Sequence, residues 1–385
     1  MIPYGRQEIS NEDINAVVEV LKSDFLTQGP KVPLFEEIVA DYCDVKYGVA
    51  VNSATSALHI ACLALELEQG DWLWTSPNSF VASANCGLYC GAKVDFVDVD
   101  PRTYNLSIVE LEKKLAIAKK ANKLPKVLVA VHFAGQSCDM KKIYELSQKY
   151  GFAIIEDASH AIGGKYLEKP IGNCKYSSIT VFSFHPVKII TTAEGGLATT
   201  NSKELAEKMD YFRSHGVTRD QKLMTERNDE PWLYQQIALG FNYRMTELQA
   251  ALGINQMKRL DEFVSRRHAL KKKYDILFDG LPILKPYQSK DSYSSLHLYP
   301  VQIELDNIRR SRKQIFIGLR GKDIGVNVHY IPIHCQPYYQ KLGFKEGDFP
   351  NSELYYRRTI SLPLFYSMSL NQQDEVFNAL KSELK

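Results

Sequence analysis

Seven short apolar runs punctuate the first half of the chain: "GVAV" (48–51), "DWLWTSP" (71–77), "KVDFVDVD" (93–100), "KVLVAVHFAG" (126–135), "FAIIEDA" (152–158), "SITVFSF" (178–184) and "GGLATTN" (195–201). Their near-continuous hydrophobicity is that of strands buried on both faces of a mostly parallel sheet. Helical stretches separate them, and this alternation predicts an α/β layered domain. Ahead of the first run, "NEDINAVVEVLK" (11–22) predicts an amphipathic helix with a polar cap and acids in its first turn. The segment "TQGPKVP" (27–33) predicts a loop, and "LFEEIVADYC" (34–43) a second helix. From Arg244 to Gly280 the pattern stays helical, a connector into a smaller α+β domain that runs to the C-terminus. The expected division is a large α/β domain over 12–255 and a small one over 256–385, with residues 1–11 near the active site.

A chain of 385 residues exceeds one ordinary core, in keeping with two domains. Its 47 basic and 45 acidic residues leave a net charge of +2, which gives no electrostatic reason to expect nucleic acid or an anionic membrane as partner. The longest apolar runs fall far short of the ~20 residues that span a bilayer, and the polar N-terminus does not read as a signal peptide. Seven scattered cysteines form no CxxC pair or Cys/His ladder, so neither a disulfide frame nor a metal site is expected. These features together predict a cytoplasmic location. Neither a GxGxxG after the first strand nor a GxxxxGK[ST] is present, which removes the main support for a dinucleotide or P-loop site.

In an open α/β sheet, ligands bind beyond the carboxyl ends of the strands, and three polar groups fall there. "GVAV" ends in Asn52-Ser53-Ala54-Thr55-Ser56 directly before a helix, a ready-made anion cup. "FAII" ends in Glu156-Asp157-Ala158-Ser159-His160, and "SITVF" in Ser183-Phe184-His185 and then Lys188. A phosphate cup, a strand-end carboxylate and a lysine in an apolar segment are what pyridoxal phosphate requires. The cup holds the phosphate, the carboxylate pairs with the ring nitrogen, and the lysine bonds the aldehyde and then moves protons. Taken singly, each has a plainer reading: Lys188 salt-bridged to Glu194, Asp157 capping a helix, His160 and His185 as core histidines.

The ordered set "LTQGPKVPLFE" (26–36), "NSATSAL" (52–58), "SPNSFVASAN" (76–85), "EDASHAIG" (156–163), "FSFHPVKIITTAEGG" (182–196), "FRSHG" (212–216), "GFNYRMTELQAALG" (240–253) and "VHYIPIH" (328–334) resembles the DegT-type nucleotide-sugar aminotransferases over nearly the whole chain. The resemblance implies fold type I of the pyridoxal-phosphate transferases, like aspartate aminotransferase. It implies pyridoxal 5′-phosphate as cofactor, with pyridoxamine 5′-phosphate between half-reactions. It makes Lys188 the Schiff-base lysine, Asp157 the partner of the ring nitrogen, and His160 the neighbour of the ring hydroxyl. Ala54, Thr55 and Ser183 would hold the phosphate and Phe80 would stack on the ring. Asn242 matches an asparagine that reaches the neighbouring subunit's phosphate, which implies a homodimer with shared sites. Some relatives with histidine in place of Lys188 are dehydratases rather than transaminases, so the lysine favours transamination. Tyr4, Gln28, His329 and His334 lie in segments like the family's substrate-lining loops, and Arg213 or Arg244 could meet the donor carboxylate. "MIPYGRQEI" and "SPNSFVASANCGLYCGAKVDFVDVDPRTYNLS" are most similar to members that use L-glutamate to aminate C4 of a UDP-linked 4-keto-6-deoxy-N-acetylhexosamine. A different keto-sugar substrate, or a non-catalytic sensor on the same fold, are the alternatives.

Overall fold

The computed structural model describes residues 1–225 and 230–385. All seven apolar runs become strands of one sheet: β1 (Tyr47–Val51), β2 (Trp72–Thr75), β3 (Lys93–Phe96), β4 (Val127–Val131), β5 (Ala153–Asp157), β6 (Ile179–Ser183) and β7 (Gly196–Thr200). Their order is β1-β7-β6-β5-β4-β2-β3. Pairing is parallel from β6 through β3, while β7 runs antiparallel to both β1 and β6. Because β7 reverses direction between them, β1 and β6 point the same way as β5. The carboxyl ends of all three therefore open on one edge of the sheet. Separate apolar clusters cover the two faces, one built on β1, β4 and the helix α3 (Ala54–Ala64), another on Phe35, Phe182 and Phe184. The chain is thus an α/β protein with a mostly parallel central sheet.

The first helix, α1 (Asn11–Leu21), opens on a capping box in which Ser10 and Asp13 satisfy each other's backbone amides. Asp13 is fully buried and also accepts from Asn255 Nδ2 and Gln256 Nε2, each at 2.7 Å. Asp13→Ala removes its half of the capping box, leaving Ser10 N without that acceptor, and strands both side-chain amides, a cost of about 2–3 kcal/mol. The unfolding midpoint should fall by several degrees in a thermal melt, and an unchanged melt would refute this role.

The second helix, α2, runs Lys31–Cys43 and so claims part of the expected loop. Its opening amides, Lys31 N and Val32 N, are met by the Glu247 carboxylate at 2.7 and 3.1 Å. The helical pattern after Arg244 is two helices, Glu247–Met257 and Leu260–Leu277, rather than one. Leu260, Phe263 and Val264 pack into the core of the large sheet, whereas Leu270 and Tyr274 belong to a separate C-terminal core. That second core surrounds a three-stranded antiparallel sheet of Ile283–Leu284, Tyr299–Ile303 and Thr359–Leu362. The N-terminal segment joins it: Ile2 N donates to Asp323 O and Gly325 N to Ile2 O, both at 2.7 Å.

Candidate active site

The turn from β1 into α3 is built to leave amides free. Ser53 is the N-cap, its Oγ accepting from Ser56 N at 3.1 Å, while Ser56 Oγ donates to Asn52 Oδ1 at 2.7 Å. Ala54 N and Thr55 N have no partner among the described residues. They face a cavity of about 540 Å³ whose wall includes Ala54, Thr55, Phe80, Asp157, His160, Ser183 and Lys188. The turn crosses directly over Gly196, where an added Cβ would lie 2.5 Å from the backbone of Ser53 and Ala54. Gly196→Ala must therefore displace the cup. Cofactor affinity is expected to drop roughly tenfold, about 1.4 kcal/mol, measured as a dissociation constant by fluorescence titration; unchanged affinity would exclude the cup from phosphate binding.

Glu156 and Asp157 end β5 and point to opposite faces of the sheet, as successive strand residues must. Glu156 is sealed in the interior against His132 Nε2 (2.7 Å), Ser177 Oγ and Thr180 Oγ1. Burial opposes a charge on His132, but Cys138 and the Glu156 carboxylate outweigh it and hold its pKa up at about 10. Asp157 faces the cavity instead. Its Oδ2 accepts from Ser83 Oγ at 2.6 Å, and its Oδ1 from Ser159 N (3.1 Å) and Ser159 Oγ (2.6 Å). Three donors fix the orientation of the carboxylate.

Lys188 sits on the excursion between β6 and β7. Phe184 N donates to Gly195 O and Thr192 N to Phe184 O, closing the base of this loop, while Phe184, Ile189 and Ile190 anchor it in the core. The lysine side chain emerges into the cavity and makes no hydrogen bond or ion pair among the described residues. Glu194 lines the same cavity but forms no ion pair with it. Burial lowers the Lys188 pKa to about 8, and the Asp157 charge partly opposes that shift. An apolar setting thus yields a lysine with far more free amine near neutral pH than an exposed one, roughly a tenth at pH 7.

Around it stand histidines that stay neutral. Burial first, then the Lys188 charge, drives His160 well below its ordinary range and His329 to about 3. His160 meets the Tyr330 hydroxyl through Nε2 at 3.1 Å, and its ring packs 4.3 Å from that of His297. Its Nδ1 is buried without a partner. Tyr4 reaches the cavity beside His329, with ring centroids 5.4 Å apart. Phe80 stands 60% exposed on the rim.

Five of the residues singled out from the sequence are elsewhere. His334 is fully buried outside this cavity, with Nε2 held 2.9 Å from Glu353 Oε1, so it is committed to the fold and does not line the substrate space. Gln28 lines a second cavity with Arg213 and Arg244. There Arg213 is bound to Glu36, to Asp210 Oδ1 at 2.6 Å and to Ala50 O at 2.7 Å, whereas Arg244 carries no ion pair among the described residues. Asn242 is exposed and away from its own chain's cavity. Sequence reasoning missed Ser83, Ser159, His297 and Tyr330. Ser83, Ser159 and Tyr330 fall inside the quoted motifs, but nothing local marks which hydroxyl faces the carboxylate.

Pyridoxal phosphate suits these residues: free helix amides for a phosphate, a triply held carboxylate for a ring nitrogen, and an unpaired amine for an aldehyde. Comparison with known proteins agrees. Residues 7–381 match the model of the DegT/DnrJ/EryC1/StrS aminotransferase family. The spore coat polysaccharide biosynthesis protein SpsC of Bacillus subtilis is 38% identical over 387 residues, covering 100% of this chain and 97% of that one. A Campylobacter jejuni protein named UDP-4-amino-4,6-dideoxy-N-acetyl-beta-L-altrosamine transaminase is 37% identical over 386 residues (100% and 98% covered). The solved Helicobacter pylori PseC, described as an aminotransferase involved in pseudoaminic acid biosynthesis, superposes with a TM-score of 0.90 at 32% identity, covering 100% of this chain and 99% of that one. The chain belongs to the DegT/DnrJ/EryC1/StrS family. It is a sugar aminotransferase dependent on pyridoxal phosphate. No helix among the described residues is long and apolar enough to cross a membrane.

Proposed function

We propose that this enzyme moves the amino group of L-glutamate to C4 of UDP-2-acetamido-2,6-dideoxy-β-L-arabino-hex-4-ulose, giving UDP-4-amino-4,6-dideoxy-N-acetyl-β-L-altrosamine, a step toward pseudaminic acid. The observation that carries the amino transfer is the unpaired Lys188, facing the cavity with a pKa of about 8. The names of the Campylobacter and Helicobacter relatives support the substrate.

In this reading Ala54 N, Thr55 N and the Ser183 hydroxyl hold the cofactor phosphate, Phe80 covers the ring, and His160 lies beside the ring hydroxyl. Asp157, held in place by Ser83 and Ser159, pairs with the ring nitrogen and keeps it protonated. When bound, the cofactor withdraws electrons from the carbon that gives up or receives a proton. Lys188 takes the α-proton of glutamate, which leaves as 2-oxoglutarate. The same amine later delivers a proton to C4 of the sugar. A pKa near the working pH lets one group act in both directions. Neutral His160 and His329 accept or donate hydrogen bonds beside it without adding a second positive charge. Tyr4 and His329 line the sugar side.

The reading includes a homodimer. Among the described residues, Lys188 is the one lysine or arginine on the cavity wall, yet a UDP diphosphate and a donor carboxylate both need cationic partners. Arg244, without an ion pair among the described residues, lies beside Gln28 and two residues from exposed Asn242, and supplies such a group if these segments face the neighbouring subunit's cavity. We also propose the division into 12–255 and 256–385, with Tyr4 bringing the N-terminal segment to the site. The similarity to SpsC, at 38% identity, favours a second reading in which another keto-sugar nucleotide is the acceptor.

Incubation with nitrogen-15-labelled L-glutamate and the β-L-arabino ketosugar tests the reading by NMR of the product. Label on C4 of the altro-configured sugar supports it. Label at C3, or on a differently configured sugar only, replaces the substrate while leaving the reaction class.

A further inference from the structure

Beyond His329 and Tyr330 the same segment leaves the cavity and ends in a short helical turn, Ile333–Cys335. Ile333 N donates to Pro77 O at 2.9 Å and pins the turn. There His334 Nε2 lies 2.9 Å from Glu353 Oε1, on the helix Pro350–Arg358, and 3.3 Å from Cys335 Sγ. One ligating atom from each of the three falls within 4.8 Å of the others. His334 is 0% exposed and Glu353 5%, while Cys335 remains partly accessible. The carboxylate is placed by the backbone as well, since Oε1 accepts from Gly347 N at 2.7 Å and Phe349 N at 3.4 Å. Its Oε2 accepts no hydrogen bond among the described residues. The imidazole stands edge-on to the Phe349 ring, 4.8 Å between centroids. The amino transfer uses none of these groups.

A thiolate sulfur, an imidazole nitrogen and a carboxylate oxygen form a ligand set suited to tetrahedral zinc, whereas magnesium and calcium take oxygen. Zinc bonds of about 2.0–2.3 Å place tetrahedral ligands about 3.3–3.6 Å apart. The three side chains therefore need to open by only a few tenths of an ångström. The plainer reading is a histidine satisfied by a glutamate, but it leaves His334 Nδ1 buried without a partner. That atom has no partner in either tautomer, so moving the ring proton onto it breaks no bond there. We propose that His334, Cys335 and Glu353 bind Zn²⁺, with water in the fourth position on the accessible Cys335 side. On binding, the Cys335 thiol releases its proton to solvent, and the neutral imidazole carries its proton on Nδ1 and gives Nε2 to the ion. Thiolate and carboxylate then balance the two positive charges. Glu346 and Asp348, whose charges also act on Cys335, add a field that favours a cation. The ion would tie the segment bearing His329 and Tyr330 to the helix Pro350–Arg358. No metal site is expected from the sequence pattern, because Glu353 joins the adjacent His334 and Cys335 only through the fold.

The test strips the holoenzyme with a chelator and then supplies Zn²⁺ or Co²⁺. After gel filtration, wild type should retain a single zinc per chain. Co²⁺ should give the intense d–d bands of a tetrahedral site, to the red of the cofactor's absorption, with a thiolate charge-transfer band. Cys335→Ser should lose the thiolate band and weaken Zn²⁺ binding by at least about 100-fold, the upper range for loss of a mere supporting group. Glu353→Gln keeps the shape; it should weaken Zn²⁺ binding yet keep the thiolate band. Cys335→Ala serves as a second variant should the serine fail to fold. Zn²⁺ should also raise the thermal midpoint of wild type but not of Cys335→Ser. Zinc retained equally by Cys335→Ser, as it would be on the cavity histidines, overturns the site. A Co²⁺ spectrum without a thiolate band, or no retained metal in wild type, overturns it too.

Discussion

Lys188→Ala is expected to lower kcat by on the order of 10⁴-fold, the upper range for loss of a positioned acid–base group, and to lose the covalent anchor as well. Retention of cofactor should weaken but persist, because the helix amides at Ala54 and Thr55 do not depend on the lysine. An exogenous primary amine should restore part of the rate by reaching the vacated space, a rescue that a merely misfolded variant would not show. Activity within tenfold of wild type would remove Lys188 from the mechanism. The same lysine makes a prediction for the cofactor-free protein. An amine-directed reagent should label Lys188 with a midpoint near pH 8, below the usual 10.5. Since the folded chain binds fewer protons than the unfolded one between those values, apo stability should rise with pH across that window. The burial penalty on the charged amine is fully felt below it.

Asp157→Asn should lower kcat by about 10²–10³-fold, comparable to removal of one preorganised charge-stabilising group, with a smaller change in KM. The amide keeps most of the shape but cannot hold a protonated ring nitrogen. It also removes the negative charge that raises the Lys188 pKa, so the labelling midpoint of the apo variant should move below that of wild type. This second readout separates an electrostatic role from a structural one. Unchanged kcat together with an unchanged midpoint would show that Asp157 merely caps the turn at Ser159.

The strands were legible because each is a short, nearly pure apolar run, and the site was legible because its polar groups interrupt those runs at their ends. Direction was harder to read. β7 is buried like its neighbours, and only its register with β1 and β6 shows it to be antiparallel. The start of α2 was misplaced because the Glu247 carboxylate that caps it lies 216 residues from Lys31. The break between Met257 and Leu260 has no Gly or Pro to announce it, and the chain passes from one core to the other only later, within the second helix between Val264 and Leu270. His334 shares a motif with His329, yet the two diverge. His329 borders the cavity with Nδ1 2.8 Å from Ser361 Oγ, while His334 turns inward to Glu353. A residue's partner 19 positions away is not written in the local pattern.

The most direct test of the account is a two-stage spectral titration of the purified holoenzyme. L-glutamate is added until the visible absorption of the bound cofactor is lost, excess donor is removed, and UDP-linked keto sugars are offered singly. The account predicts loss of the band with glutamate and its return with the β-L-arabino 4-ketosugar, in wild type but not in Lys188→Ala. A band that neither glutamate nor glutamine removes, or that returns equally in the variant, would contradict it.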